Sequence, residues 1–202
     1  DFVLRWRPAG ESLTTRLLAT RDGYGLLSIL PPKRDGFLGL ARDVVFVLDR
    51  SGSMNDDFKI EQLRKAILYC LGRLGRNDRF GIVDFGTGVQ VFSDRLQEAG
   101  PEAVQRARKY VEALEASGGT NIEGGLREGL SLLKRVPGRL PIVVFLTDGL
   151  PTVGETDTQD LLGLFRTQLA ANEARFFGFG IGAGVNTSLI DQLADAGRGT
   201  RD

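Results

Sequence analysis

The 202 residues are 42% apolar and 26% charged, an ordinary globular composition that excludes general disorder. Twenty-six basic residues balance 26 acidic ones, so no global field draws the chain to nucleic acid or anionic lipid, and partners must be chosen by a local site. With no histidine and one cysteine, Cys70, it builds no Ser-His-Asp or Cys-His nucleophile, no histidine-ligated zinc and no internal disulfide.

The first 40 residues read as β-strands. Phe2, Leu4 and Trp6 alternate with Arg5 and Arg7 until Pro8 stops the pattern. Leu13–Thr20 and Tyr24–Leu30 are two more strand-like runs, separated by a turn at Asp22-Gly23. Pro31-Pro32 breaks the chain and Lys33–Ala41 reads as a linker. Three short strands make a poor independent core, so this segment is expected to be the tail of a larger β domain or an addition to the domain that follows.

From Asp43 the pattern becomes strand, turn, helix, repeated, over residues 41–202. Val44–Leu48 is a continuous apolar run, as in a strand covered on both faces. Ile60, Leu63, Ile67, Leu71 and Leu74 form a helical stripe. Phe80–Phe85 and Val89–Phe92 form a hairpin about Gly86-Thr87-Gly88. Further helices are marked by Val104, Ala107, Val111 and Leu114 and by Ile122, Leu126, Leu130 and Leu133. Ile142–Leu146 is a strand, Leu161, Phe165 and Leu169 mark a helix, Phe176–Ile181 is a strand and Leu189–Ala194 a short helix. This alternation predicts an α/β fold with a doubly wound, mainly parallel sheet flanked by helices. Such sheets bind ligands beyond the carboxyl ends of their strands, near the point where strand order reverses.

Three oxygen-rich turns fall at such places. Asp49-Arg50-Ser51-Gly52-Ser53 follows the first buried strand, Gly118-Gly119-Thr120-Asn121 opens a helix, and Thr147-Asp148-Gly149 follows Ile142–Leu146. Asp49, Ser51, Ser53, Thr120 and Asp148 together offer two carboxylates and three hydroxyls, a hard-oxygen set that suits Mg2+ or Mn2+, with Ca2+ as a further candidate. Their formal charge of minus two balances one divalent ion.

At these residues the chain resembles the von Willebrand factor type A domain with its metal-ion-dependent adhesion site, whose D-x-S-x-S, T and D elements match Asp49-Arg50-Ser51-Gly52-Ser53, Thr120 and Asp148 in order. The resemblance covers about residues 43–197. It implies that Ser51, Ser53 and Thr120 bind Mg2+ directly while Asp49 and Asp148 act often through water, and that an Asp or Glu carboxylate of a protein partner completes the coordination. It also implies adhesion or assembly at a cell surface, or in a secreted or periplasmic setting, without an enzymatic role. The N-terminal strands and Pro-Pro linker resemble the end of a vault-protein and inter-alpha-trypsin-inhibitor type domain, an arrangement found in inter-alpha-trypsin inhibitor heavy chains and bacterial surface proteins, and point to a bacterial member. The family usually adds a sixth strand and a final helix beyond the point where this sequence stops. That departure implies truncation, or N-terminal strands at that edge; likewise the start at Asp1 reads as a processed or excised piece.

Several residues carry plainer readings. Thr120-Asn121-Ile122-Glu123 is a capping box in which the Thr120 hydroxyl would satisfy a helix amide, although the full set of motifs favours ligation. Asp56 and Asp57 are expected to cap the first helix, Arg50 to be solvated, Asp84 to be a satisfied carboxylate near a strand end and Cys70 an inert core thiol. Gly178-Phe179-Gly180-Ile181-Gly182-Ala183 fits a dinucleotide fingerprint formally, but it lies partly inside a strand, so packing and turn roles are expected. The competing functions are a Mg2+-dependent phosphohydrolase using Asp49, and a scaffold that leaves the metal site unused. Against the first, no second acid stands two residues after Asp49, and the sequence shows no clear general acid or phosphate-clamping lysine nearby.

Overall fold

Residues 13–19, 22–30, 40–182 and 187–197 are described by the computed structural model, which divides into one unit over residues 1–39 and a second over 40–202. In the first unit, β1 (Thr14–Ala19) pairs antiparallel with β2 (Gly25–Leu30) through the turn at Asp22-Gly23, as its sequence predicts. The strand expected at Phe2–Arg7 and most of the linker lie outside the described residues. β1 and β2 form a two-stranded sheet of their own.

The second unit starts at once with β3 (Ala41–Asp49), whose last seven residues are buried. After a 3-10 segment over Gly52–Phe58 come α1 (Lys59–Leu71), β4 (Arg79–Phe85), β5 (Val89–Val91) and a two-residue β6 (Gln97–Glu98). The remainder is α2 (Pro101–Glu112), α3 (Ile122–Leu132), β7 (Arg139–Thr147), α4 (Thr158–Asn172), β8 (Arg175–Gly180) and α5 (Thr187–Ala196). β4, β3, β7 and β8 lie side by side in parallel, while β5 and β6 add antiparallel pairs to β4.

The apolar runs of β3 are covered on both faces because alternate side chains point to opposite layers. Val44, Phe46 and Leu48 join Ile60, Leu63, Ile67 and Leu71 of α1 and Ala107 and Val111 of α2. Val45 and Val47 join Leu126 and Leu130 of α3 and Leu161 and Phe165 of α4. Helix α3 comes unusually close to the sheet. A Cβ at Gly125 would stand 2.5 Å from the Phe85 ring and one at Gly129 2.6 Å from Val47, so the two glycines face the sheet where no side chain fits.

From β3 the chain moves to β4 on one side and later returns to β7 on the other, so strand order reverses between β3 and β7. The opposite, amino-terminal edge of these strands is closed by ion pairs between side chains. Buried Asp43 receives Arg79 Nε at 2.8 Å and Arg139 Nε at 2.6 Å, and Asp78 receives Arg42 Nε at 3.0 Å. Burial pushes both carboxyls upward, but the hydrogen bonds from these arginines outweigh it and hold them below the usual carboxylate range.

Asp43→Asn should therefore lower stability in urea unfolding at pH 7 by about 2 kcal/mol, less than the roughly 3–5 kcal/mol for a fully buried pair because both guanidiniums reach water. Since the folded pKa of Asp43 lies below its unfolded value of 3.8, this contribution is present above pH 3.8 and lost as pH falls through the folded pKa. The variant should accordingly lose less stability than the parent on acidification below pH 3.8.

Candidate metal centre

β3 ends at Asp49, whose side chain is fully buried. Its Oδ1 accepts from the Ser51 backbone N–H at 2.7 Å, which folds the chain back into a tight turn, and its Oδ2 accepts from the Thr147 hydroxyl at 2.6 Å. One carboxylate thus ties the carboxyl ends of β3 and β7 across the point where strand order reverses. The turn brings the Ser51 and Ser53 hydroxyls within 3.1 Å of each other, and Ser53 donates to Asp148 Oδ1 at 2.8 Å. Asp148 Oδ2 accepts from Lys59 Nζ, also at 2.8 Å.

The loop before α3 is bonded to the same turn. Gly52 N donates to Gly118 O at 2.9 Å, and Ser117 N to Arg50 O at 2.7 Å. Thr120 is held by its backbone, its N–H donating to Thr152 Oγ1 at 2.8 Å and its carbonyl accepting from Thr152 and Val153. It is 5% exposed, and its hydroxyl has no hydrogen bond among the described residues. The capping box does not form at Thr120. Asn121 caps α3 instead, accepting from Gly124 N at 2.8 Å, and Glu123 turns away to accept from Glu155 N. Capping and ligation therefore do not compete for one hydroxyl.

Two expectations are corrected nearby. Neither Asp56 nor Asp57 caps α1, because Phe58 stands at the cap position in a left-handed conformation with no side-chain cap bond. Arg50 is not solvated: it pairs with the fully buried Asp84, which also accepts from the Tyr110 hydroxyl. Burial first, and that hydrogen bond second, push the Tyr110 phenol well above its ordinary value. The satisfied carboxylate expected at Asp84 is what the structure shows. Cys70 is half-buried, and burial pushes its thiol up. The glycine run does serve packing and turning: a Cβ at Gly178 would collide with Ile190 of α5 at 2.3 Å, and Gly182 has φ +93°.

Five aspartates are buried in the described residues: Asp43, Asp49, Asp78, Asp84 and Asp148. Four have a cation of their own, from Arg79 and Arg139, Arg42, Arg50 and Lys59 respectively. No ion pair among the described residues reaches Asp49. Burial raises its pKa, the Thr147 and Ser51 hydrogen bonds pull it down, and the charge of Asp148 raises it again, with a net upward shift. Among the described residues, no three carboxylate or thiol groups gather as a metal cluster. The donors here are two carboxylates with hydroxyls between them, which is hard-oxygen chemistry, and they leave a buried negative charge without a counter-ion. The residues present thus fit a divalent cation. Sequence reasoning missed Thr147 as the partner of Asp49, although it adjoins Asp148, and missed Lys59, whose place at the start of an apolar stripe carries no sign of its partner.

Residues 42–202 match the von Willebrand factor type A domain. The chain belongs to that family. Its structure superimposes on a von Willebrand factor type A protein from Catenulispora acidiphila with a TM-score of 0.74 at 20% identity, over 100% of this chain and 47% of the other. Proximal thread matrix protein 1 from the mussel byssus, solved with a zinc-occupied MIDAS motif, gives 0.62 at 19% identity, over 81% of this chain and 44% of that one. Human inter-alpha-trypsin inhibitor heavy chain H4 is 33% identical over 201 residues, 96% of this chain and 21% of the relative, so the chain spans about a fifth of that protein and is homologous to its class. Domains of this family are modules that often mediate protein–protein interaction. No helix among the described residues is long and apolar enough to cross a membrane.

In EDTA, Asp49→Asn should raise the melting temperature, by about 2–4 °C for each 1 kcal/mol of relieved charge burial. The folded pKa of Asp49 lies above the unfolded 3.8, so its contribution is full below pH 3.8 and lost as pH rises through the folded pKa; the gain should appear at neutral pH and vanish in acid. Asn121→Ala should cost about 1 kcal/mol through the lost cap, and Thr120→Ala less, as judged by thermal unfolding.

Proposed function

We propose that this domain is a Mg2+-dependent protein-binding module in which Asp49, Ser51, Ser53, Thr120 and Asp148 hold the ion and an Asp or Glu side chain of a partner protein completes its shell. The observation that carries the reading is the fully buried Asp49 without a cation, with hydroxyls and a second carboxylate gathered on the same loops. Hydroxyl and carboxylate oxygens favour Mg2+, Mn2+ or Ca2+ over softer ions. The metal occupancy of the motif in the byssus protein supports a cation at the equivalent place in this fold. When bound, such an ion supplies a hard electrophilic centre able to take an anionic oxygen ligand.

The chain's own residues do the preparation. Asp49 and Thr147 fix the ends of two adjacent strands, the Ser51–Ser53 turn presents two hydroxyls side by side, and the Gly118–Thr120 loop is bonded in place against that turn. An acidic protein partner suits a chain with no global charge, in which attraction is confined to one spot. A cell-surface, secreted or periplasmic setting and adhesion as the biological role belong to the same proposal. Lys59, the lysine that a phosphohydrolase reading would need, is engaged by Asp148 and the Ser53 carbonyl.

Millimolar Mg2+ should raise the melting temperature and EDTA should reverse the effect; with a dissociation constant of about 10 μM, 1 mM ion adds about 2.7 kcal/mol. Asp49→Ala and Ser53→Ala should abolish the response, and an undiminished response in both would reject the ligand assignment. Incubation with Mg2+ and simple phosphoesters should give no turnover. Hydrolysis lost in Asp49→Asn would establish the enzyme instead.

A further inference from the structure

Lys59 is seated by three separate pieces of chain. Its ammonium donates to Asp148 Oδ2 at 2.8 Å, after β7, and to the Ser53 carbonyl at 3.3 Å, in the turn after β3. Its stem passes the turn after β8, where a Cβ on Gly182 would stand 2.8 Å from Lys59 Cε. Any larger residue there would press on the lysine stem, and φ +93° at Gly182 favours glycine in any case. The side chain is 15% exposed, so it is committed to this place and does not wave in solvent.

The two oxygens of Asp148 are therefore divided, with Oδ2 given to Lys59 and Oδ1 to Ser53 and the site. We propose that Lys59 is the charge-setting residue of the cation site: it orients Asp148 and lowers the negative charge the site offers, trading ion affinity for attraction of an outside carboxylate. The inference rests on the reading of the five residues as a cation site. Asp49 and Asp148 carry minus two, Lys59 adds plus one, and a divalent ion brings the total to plus one. A single external carboxylate then restores neutrality. Without Lys59 the same set is already neutral with the ion bound, and a second anion gains nothing from the net charge. Asp56 and Asp57 also act on the Lys59 charge, but both are exposed and screened by water.

Lys59→Met keeps most of the stem and removes the charge, while Lys59→Gln keeps a donor for Asp148 without charge. Calorimetric titration with Mg2+ alone measures ion affinity. Titration of acetate into Mn2+-loaded protein, followed by water-proton relaxation, measures carboxylate capture as loss of ion-bound water. Both variants should bind Mg2+ more tightly and acetate more weakly than the parent, each by about tenfold or more. Unchanged or weaker Mg2+ binding in the variants would overturn the charge-setting role while parent binding keeps the cation site intact. A Gln variant that matches the parent in both titrations reduces Lys59 to orientation alone and overturns it too. A parent protein that binds no divalent ion removes the site and this inference together.

Discussion

A carboxylate taken fully out of water must find a positive charge, give up its own, or destabilise the fold, and Asp49 is placed where that choice stays open. Its Oδ1 holds the turn after β3 and its Oδ2 ties that strand end to Thr147 of β7, so it cannot move away to solvent without loosening the centre of the sheet. The Ser51 and Ser53 hydroxyls and Asp148 are linked to the same turn, and none of them brings Asp49 a positive charge. Under the proposed function a divalent cation would supply that charge, and a partner's acid would answer the charge left over.

The same fold shows what a solved version looks like. At the amino-terminal edge of β3, β4 and β7, Asp43 and Asp78 are buried too, but Arg42, Arg79 and Arg139 cover them. Within the sheet, Asp84 is answered by Arg50 and Tyr110, and through it the turn after β3 is linked to α2. The two edges are therefore electrically unlike: at one, each buried carboxylate faces a guanidinium of the chain, and at the other Asp49 has no cation among the described residues. Parallel strands place their carboxyl ends on the same edge, and Asp49 stands there beside the reversal of strand order between β3 and β7.

Close approach in the layer beneath keeps these loops in register. Glycines at 125 and 129 let α3 lie against Phe85 and Val47, and the start of that helix carries the Thr120 loop. Likeness to a von Willebrand factor type A structure across the whole chain at 20% identity shows that this arrangement tolerates wide sequence change, as expected when volume and pattern, more than particular side chains, decide a core.

Local pattern by itself was enough to read the α/β alternation, the buried strands at Val44–Leu48 and Ile142–Leu146, the helical stripes and the three oxygen-rich turns, because each is written within a few consecutive residues. Everything that depends on a distant partner waited for the folded chain. Asn121 and not Thr120 caps α3 because backbone bonds to Gly86 and Thr152 set the chain one residue further along before the helix starts. Arg50 finds Asp84, 34 positions on, Lys59 finds Asp148, 89 positions on, and Thr147 reaches back 98 positions to Asp49. Spacing along a sequence reports which side chains share a face of a helix or strand. Which of them meet across elements is decided by how strands order themselves in the sheet, and that order sets which buried charges are paired and which are not.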